Sequence, residues 1–372
     1  MDNSGKVNLS TANSPRSTAA PGFPKICCEQ LTLVEFQIAV VCWPSTVDHF
    51  FSSICLKQDG FFFRFQFLYI TIPQIPPPMA KAAVQEHLKK ALAHNSGPEA
   101  LAWLAEQSQK ITHSTSPNAF FLAFSRASRH FKKETLSPAL GTLSLEESGM
   151  LPFSLSHWDS LQAARTFLLL QLPQEKTSWM TTVQQLFETA DMYEQQALYA
   201  ALPLLPFAED LVPRAIEGCR TNMSLVFDAI ALNNPYPARF FPEANWNQLV
   251  LKAIFMQRPL YQIQQLDERR NSALAAMATD FAHERWAAGR AVMPEVWRLL
   301  VPFMGPQYQE DLKKVLAATD ATEQKAGALA AYQSSYAPAK ELLTSFPLLQ
   351  EACANGASRW EDLGIEFQKN RV

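Results

Sequence analysis

The 372-residue chain carries 32 Lys and Arg against 35 Asp and Glu, a formal charge of -3, and 48% of its residues are hydrophobic. That composition allows a sizeable core and excludes a disordered chain. The near balance of charge leaves no dominant basic face for nucleic acid or an anionic membrane, so neither is expected as a partner.

The first 78 residues differ from the rest. Four of the six cysteines fall there, Cys27, Cys28, Cys42 and Cys55, together with a run of phenylalanines from Phe50 to Phe67, and the segment ends in Pro76, Pro77 and Pro78. No 3.6 or 2.0 period runs through it. We read residues 1–78 as an extension outside the evolved domain, either poorly ordered or translated from a misassigned start. The apolar runs 31–42 and 60–72 are shorter than the ~18 residues that a transmembrane helix requires, and Glu35 and Arg64 interrupt them, so no transmembrane segment is expected. A secretory signal would place its apolar run nearer the start. The Ser-rich, acid-poor opening at 3–22 leaves organelle targeting as the alternative to a cytoplasmic location. No CxxC pair or disulfide framework appears, which suits a reducing compartment.

From Met79 onward the pattern is helical. Helices are predicted over 80–94, 98–110, 117–131, 156–171, 177–189, 191–202, 206–232, 243–257, 271–288, 293–303, 307–318, 321–332, 336–345 and 357–369. In the third of these Pro117 suits a first turn, and Phe120, Phe121, Phe124, Ala127 and Phe131 make one apolar stripe. Prolines fall at the boundaries, and nothing long enough alternates to make a sheet. Short helices joined by brief turns predict an all-α fold, an irregular α-α superhelix, with a HEAT-like part over about 307–372 in which Ala326, Leu329, Ala330 and Tyr332 face Ala339, Leu342 and Leu343. Residues 79–372 are taken as one domain.

Within that pattern Asn233, Asn234, Pro235, Tyr236 and Pro237 forbid a helix and form a rigid corner. In the helix that follows, Trp246, Leu249, Val250 and Ala253 form a core stripe, while Asn245, Gln248 and Lys252 share a polar face. Asn247 lies on the side of Leu251 and Ile254, where an unpartnered amide would cost roughly 2 kcal/mol. The carbonyls of the proline corner are its expected partners. Asp228, late in a helix, is expected to pair with Arg220, Lys252 or Arg269. Asn234 reads either as a turn former or as part of a surface with Tyr236, Trp246, Asn247, Lys252, Asp267 and Arg269 that binds a ligand or partner.

On the helix 271–288, Ala273, Ala276, Asp280, His283, Glu284 and Ala287 share one face. His283 could carry a proton there with Asp280 or Glu284 orienting it; the alternative is a buried histidine satisfied by a carboxylate and a neighbouring backbone. The run "HERWA" lacks the second histidine of HExxH, so no metal is expected. Beyond it Gly289 closes the helix, Pro294 opens the next, and Arg285, Arg290 and Arg298 are available for pairing.

Four blocks in this order, "ETADMYEQQALYAALPLLP" from 188, "RTNMSLVFDAIALNNPYP" from 220, "NWNQLVLKAIFMQRPLYQIQQLDERRN" from 245 and "DFAHERWAAGRAVMPEVWRLLVPF" from 280, resemble the EboA family. Weaker likeness extends to 120–131 and 358–364, whereas residues 1–78 match nothing in it. One departure stands out. Where the family tends to read Gly-Leu-Asp-Arg-Arg, this chain has Gln265, Leu266, Asp267, Glu268 and Arg269, and the acidic residue weakens any anion-binding role for that loop. The family's genes sit in clusters that make and move a small secondary metabolite. The resemblance therefore implies a cytoplasmic component that handles an apolar, prenylated compound bound for the cell envelope, with that compound and proteins of the same gene cluster as partners.

No reaction comes with the resemblance, and no nucleophile elbow, phosphate loop or cofactor motif appears, so no cofactor is expected. Three readings stand: a carrier with an apolar pocket rimmed by Tyr236, Asn247 and His283, a protein scaffold, and an enzyme using Asp280, His283 and Glu284. Binding is preferred over chemistry. It requires the central polar and aromatic side chains to gather around one hollow.

Overall fold

The structure, a computed structural model, describes residues 30–33, 36–42, 52–58, 61–66, 81–137, 142–143 and 153–370. The chain divides into two units between Gln74 and Ile75. In the first unit β1 (Gln30–Leu33), β2 (Phe36–Cys42), β3 (Ser52–Gln58) and β4 (Phe61–Gln66) form an antiparallel sheet in sequence order. Cys42 pairs with Ser52 and Gln58 with Phe61. These four segments fall within residues 1–78, the predicted extension. β-Branched and aromatic residues fill β2 and β4, and a continuous apolar run can be a strand without strict alternation. The pairing of Gln58 with Phe61 leaves Asp59 and Gly60 between the strands, a dipeptide favoured in two-residue hairpins. The opening at 3–22 lies outside the described residues.

Among the described residues the second unit is mainly helical, with a short pairing of β5 (Thr142–Leu143) with β6 (Phe153–Ser154) and a bridge between Thr135 and Asp159. Its helices are α1 (Lys81–Asn95), α2 (Pro98–His113), α3 (Asn118–Arg126), α4 (Ser160–Leu169), α5 (Lys176–Thr189), α6 (Met192–Ala201), α7 (Val212–Gly218), α8 (Ser224–Ala231) and α9 (Tyr236–Phe240). They continue as α10 (Glu243–Phe255), α11 (Ser272–Ala287), α12 (Val296–Leu300), α13 (Gln309–Leu316), α14 (Ala321–Gln333), α15 (Ala337–Leu343), α16 (Pro347–Ala354) and α17 (Trp360–Asn370).

Two buried helices organise this unit. α4 starts at a capping box, in which the Gln162 backbone N–H donates to Asp159 at 2.7 Å and the Asp159 N–H donates to the Gln162 side chain at 2.9 Å. α1, α2, α3 and α6 pack around it, and all ten of its residues are buried. Arg165 on α4 is among them, paired at 3.3 Å with Glu194, whose own carboxylate also closes the capping box of α6. α14 plays the same part further on. Its Ala326, Gly327, Ala328, Ala330 and Ala331 are small enough for α12, α13, α15, α16 and α17 to close on it. Between these two helices α6, α8 and then α10, α11 and α12 continue the packing.

Three expectations change. The single helix predicted over 206–232 is broken: Phe207 adopts φ 56°, Ala208–Leu211 form a 3-10 turn, α7 starts with Pro213 in its first turn, and Thr221 caps the Met223 N–H at 3.1 Å before α8. Gly218 ends α7 directly against the Tyr199 ring, where a Cβ would not fit. The proline corner does not forbid a helix. Pro235 and Pro237 occupy the cap and first turn of α9, where a missing N–H costs nothing. Finally, α16 lies where no helix is predicted, and it begins at Pro347, which suits a first turn.

Candidate functional site

The corner between α8 and α9 is fixed from several sides. Asn233 takes φ 53°, and its backbone N–H donates to the Gln262 carbonyl at 2.7 Å. Asn234 is 3% exposed; its amide donates to the carbonyls of Ala229 at 2.8 Å and Tyr199 at 3.2 Å, and its side-chain oxygen accepts from the Tyr236 N–H at 3.0 Å. Tyr236 is sealed in the core, its hydroxyl donating to the Ala208 carbonyl and its ring 4.8 Å from that of Phe240. Burial pushes its phenol well above the ordinary range. These side chains spend their polarity on backbone groups.

Arg269 completes the corner. Its guanidinium donates to the carbonyls of Pro237 at 2.9 Å, Ala238 at 2.8 Å and Phe241 at 2.8 Å, buried residues in and just after α9. The same group lies 4.6 Å from the ring of buried Trp246. Asn247 does not reach the corner. It exchanges two amide hydrogen bonds with Asn271, at 3.1 and 2.8 Å, while Asn271 also caps α11 through the Leu274 N–H. The expected link from Asn247 to the proline carbonyls is thus corrected: the guanidinium takes that of Pro237, and that of Pro235 accepts from the Arg239 N–H at 3.2 Å. Asn247→Ala is expected to lower stability by about 1–2 kcal/mol by orphaning the Asn271 amide, whereas Asn245→Ala on the neighbouring wet face should change it by less than about 0.5 kcal/mol; urea unfolding of both variants checks this.

The remaining candidates are paired separately. Asp228 forms a two-pronged pair with Arg258, through Nε at 2.7 Å and through Nη2, instead of with Arg220, Lys252 or Arg269. Asp267 meets Arg298 with two bonds of 2.7 Å and Arg270 at 3.4 Å. Burial would raise the Asp267 carboxyl, but the Arg298 bonds and the two cations hold it below the usual range. Glu268 is exposed, so the loop after Leu266 works as a staple between α9, α10 and α12.

On α11 the supposed site faces water. Asp280, His283 and Glu284 are all exposed, as are Ala273, Ala276 and Ala287. His283 bonds Asp311 on α13 at 2.7 Å and lies beside the Trp286 ring. The alternative of a buried histidine is corrected by this exposure, although a carboxylate does satisfy it. Tyr236, Asn247 and His283 share no hydrogen bond or ring contact, and none of them lines either of the two hollows described next. Among the described residues no group of three or more His, Cys, Asp or Glu could hold a metal ion, and no helix is long and apolar enough to cross a membrane.

The hollows lie beside α7. One, of about 280 Å³, has Ile216, Cys219, Phe241 and Leu249 as its apolar lining and Arg220, Asn245, Gln248 and Lys252 as polar groups. Lys252 donates to the Thr221 carbonyl at 2.6 Å, and its amine is lowered by desolvation. Burial pushes the Cys219 thiol up to about 12. The second hollow, of about 290 Å³, shares Arg220 and is lined by Gln195, Tyr199, Arg214, Glu217 and Thr221, among others. Of the predicted site residues only Lys252 is here. The others were missed because Ile216 and Arg220 fell inside one predicted helix, although the polar face of α10 pointed to Asn245, Gln248 and Lys252.

No curated protein and no solved structure matches the chain. A family model described as metabolite traffic protein EboA does, over residues 84–301, which covers both hollows, the corner and α11. Those residues are more than half of the sequence, and the chain therefore belongs to the EboA family.

Proposed function

We propose that this protein binds a small molecule in the traffic of a secondary metabolite, holding it in the hollow between α7 and α10, and that it acts by binding rather than by chemistry. The observation that carries the reading is the hollow itself, with apolar Ile216, Phe241 and Leu249 against the hydrogen-bonding groups of Asn245, Gln248 and Lys252. A concave apolar site with a few convergent polar groups is the usual form of a small-molecule site, and its volume lies near the lower end of the ~300–1,000 Å³ range. The family description, metabolite traffic, agrees with such a role. The exposure of Asp280, His283 and Glu284, and the bond of His283 to Asp311, favour binding over catalysis.

The finer reading is a cytoplasmic protein whose helices stack as an irregular, HEAT-like superhelix and which passes an apolar, prenylated compound toward the envelope, alone or with proteins of the same gene cluster. Phe255, 74% exposed at the end of α10, supports a protein partner as the second reading. Extraction of the purified full-length chain followed by untargeted mass spectrometry tests the first. A compound bound by the wild type and lost from Ile216→Trp, which fills the hollow, is the expected result. A wild-type protein that carries and binds no small molecule but retains a polypeptide would replace carrier by scaffold.

A further inference from the structure

The two hollows beside α7 differ in chemistry and adjoin. The first exposes mainly carbon, from Ile216, Phe241 and Leu249. The second is mainly polar, with Arg214, Gln195 and Thr221 on its wall. Arg220 lines both, and Lys252 reaches from the first to the Thr221 carbonyl in the second. Three cationic side chains, Arg214, Arg220 and Lys252, thus stand along the junction, and Glu217 is the acidic residue lining it.

Glu217 occupies Arg220 at 2.8 Å, but both side chains are more than 60% exposed, so that pair is weak and open to exchange. An entering anion offers Arg220 a better partner, since a carboxylate or phosphate meets a guanidinium through two parallel bonds. Arg214 has its guanidinium 5.6 Å from the Phe187 ring and no ion pair among the described residues. Lys252 donates to one carbonyl, lies 5.7 Å from the Phe227 ring, and has no ion pair among the described residues. The junction therefore holds more positive charge than its own acid neutralises, directly beside an apolar wall.

Resting on the small-molecule reading above, we propose that the ligand is an amphiphile with an anionic head, a phosphate or a carboxylate, seated between Arg214 and Arg220, and an apolar tail laid against Ile216, Phe241 and Leu249. Head and tail then match the polar and apolar halves of one site. A neutral molecule would leave the cations unanswered, and a purely polar anion would leave the apolar half wet.

Calorimetric titration of the full-length chain with decyl phosphate, decanoate, decanol and inorganic phosphate, below micelle-forming concentrations, tests this. Decyl phosphate or decanoate is expected to bind one-to-one, about tenfold or more tighter than decanol and than inorganic phosphate, and to weaken with added salt. The tighter of the two anions identifies the head. The double variant Arg214→Gln, Arg220→Gln should weaken the anionic probe about tenfold while leaving decanol unchanged, and Ile216→Trp should weaken both. Equal binding of decanol and the anionic probes, unaltered in the double variant, overturns the anionic head and leaves the small-molecule reading in place. Inorganic phosphate binding as tightly as decyl phosphate overturns the apolar tail. If none of the probes binds the wild type, this proposal and the reading beneath it both fall.

Discussion

The wild-type chain is expected to lose stability between about pH 5 and pH 8, and replacing Glu295 with glutamine to remove most of that fall. Glu295 stands just before α12 and is fully buried; its Oε2 accepts from the Leu260 N–H at 3.1 Å, and its Oε1 has no hydrogen-bond partner among the described residues. Gly364 of α17 lies so close that a Cβ there would sit 2.8 Å from the carboxyl. Burial raises this carboxyl to about 8, while the Leu260 and Tyr261 backbone N–H groups and the charge of Arg298 act in the opposite direction. The sign follows from linkage. Below the unfolded value of 4.5 both states hold the proton, and stability does not depend on this group. Between 4.5 and about 8 the unfolded chain releases the proton and the folded chain keeps it, so stability drops with rising pH. At about 1.4 kcal/mol per unit the whole fall is roughly 5 kcal/mol, of which about 3 is already lost at pH 7. Glutamine keeps the acceptor and cannot ionise. Urea unfolding at a series of pH values reads the difference; identical slopes for wild type and Glu295→Gln would show that the carboxyl is ionised in the folded state.

Arg269→Ala should cost about 3 kcal/mol, because three carbonyls at the end of α9 lose a charged donor together and Trp246 loses the group above its ring. For a chain of this size that corresponds to a fall in melting temperature of roughly 6 °C or less. Arg269→Lys is expected to recover less than half, since a single ammonium cannot reach acceptors on Pro237, Ala238 and Phe241 at once. Thermal unfolding of both variants measures the effect. Equal melting temperatures for wild type and Arg269→Ala would mean that the corner holds without its clamp.

The helical character of residues 81–137 and 155–370 was legible because apolar spacing and proline positions are local signals. The stripe Trp246, Leu249, Val250 and Ala253 is buried as its spacing requires, and so are Phe120, Phe124, Ala127 and Phe131. What periodicity could not give was partner choice. Asn247 was rightly singled out as an amide on a buried side, yet whether it meets a proline carbonyl or Asn271 depends on how α11 starts against α10. Asp228 is the same case, since Arg258 lies beyond the helix end and reaches it only through a turn at Gln257 with φ 55°. The site was less legible than the fold. Asp280, His283 and Glu284 form a tidy constellation on one helix face, but spacing along a helix says which residues are neighbours and not whether the face is covered. The hollows beside α7 arise where a long helical pattern breaks at Pro213, Gly218 and Thr221, and a break of that kind is a matter of close packing against Tyr199.

The seat of α17 on Glu295 matters for anyone who would trim this protein. The family match stops at residue 301, whereas the lid over that acid is glycine 63 positions later, in a helix that hydrogen-bonds back to Gln257 through Gln368. Cutting at the family boundary would uncap the acid, let water reach it, and turn a neutral interior group into a surface anion. A shortened version would accordingly titrate, and melt, as a different molecule.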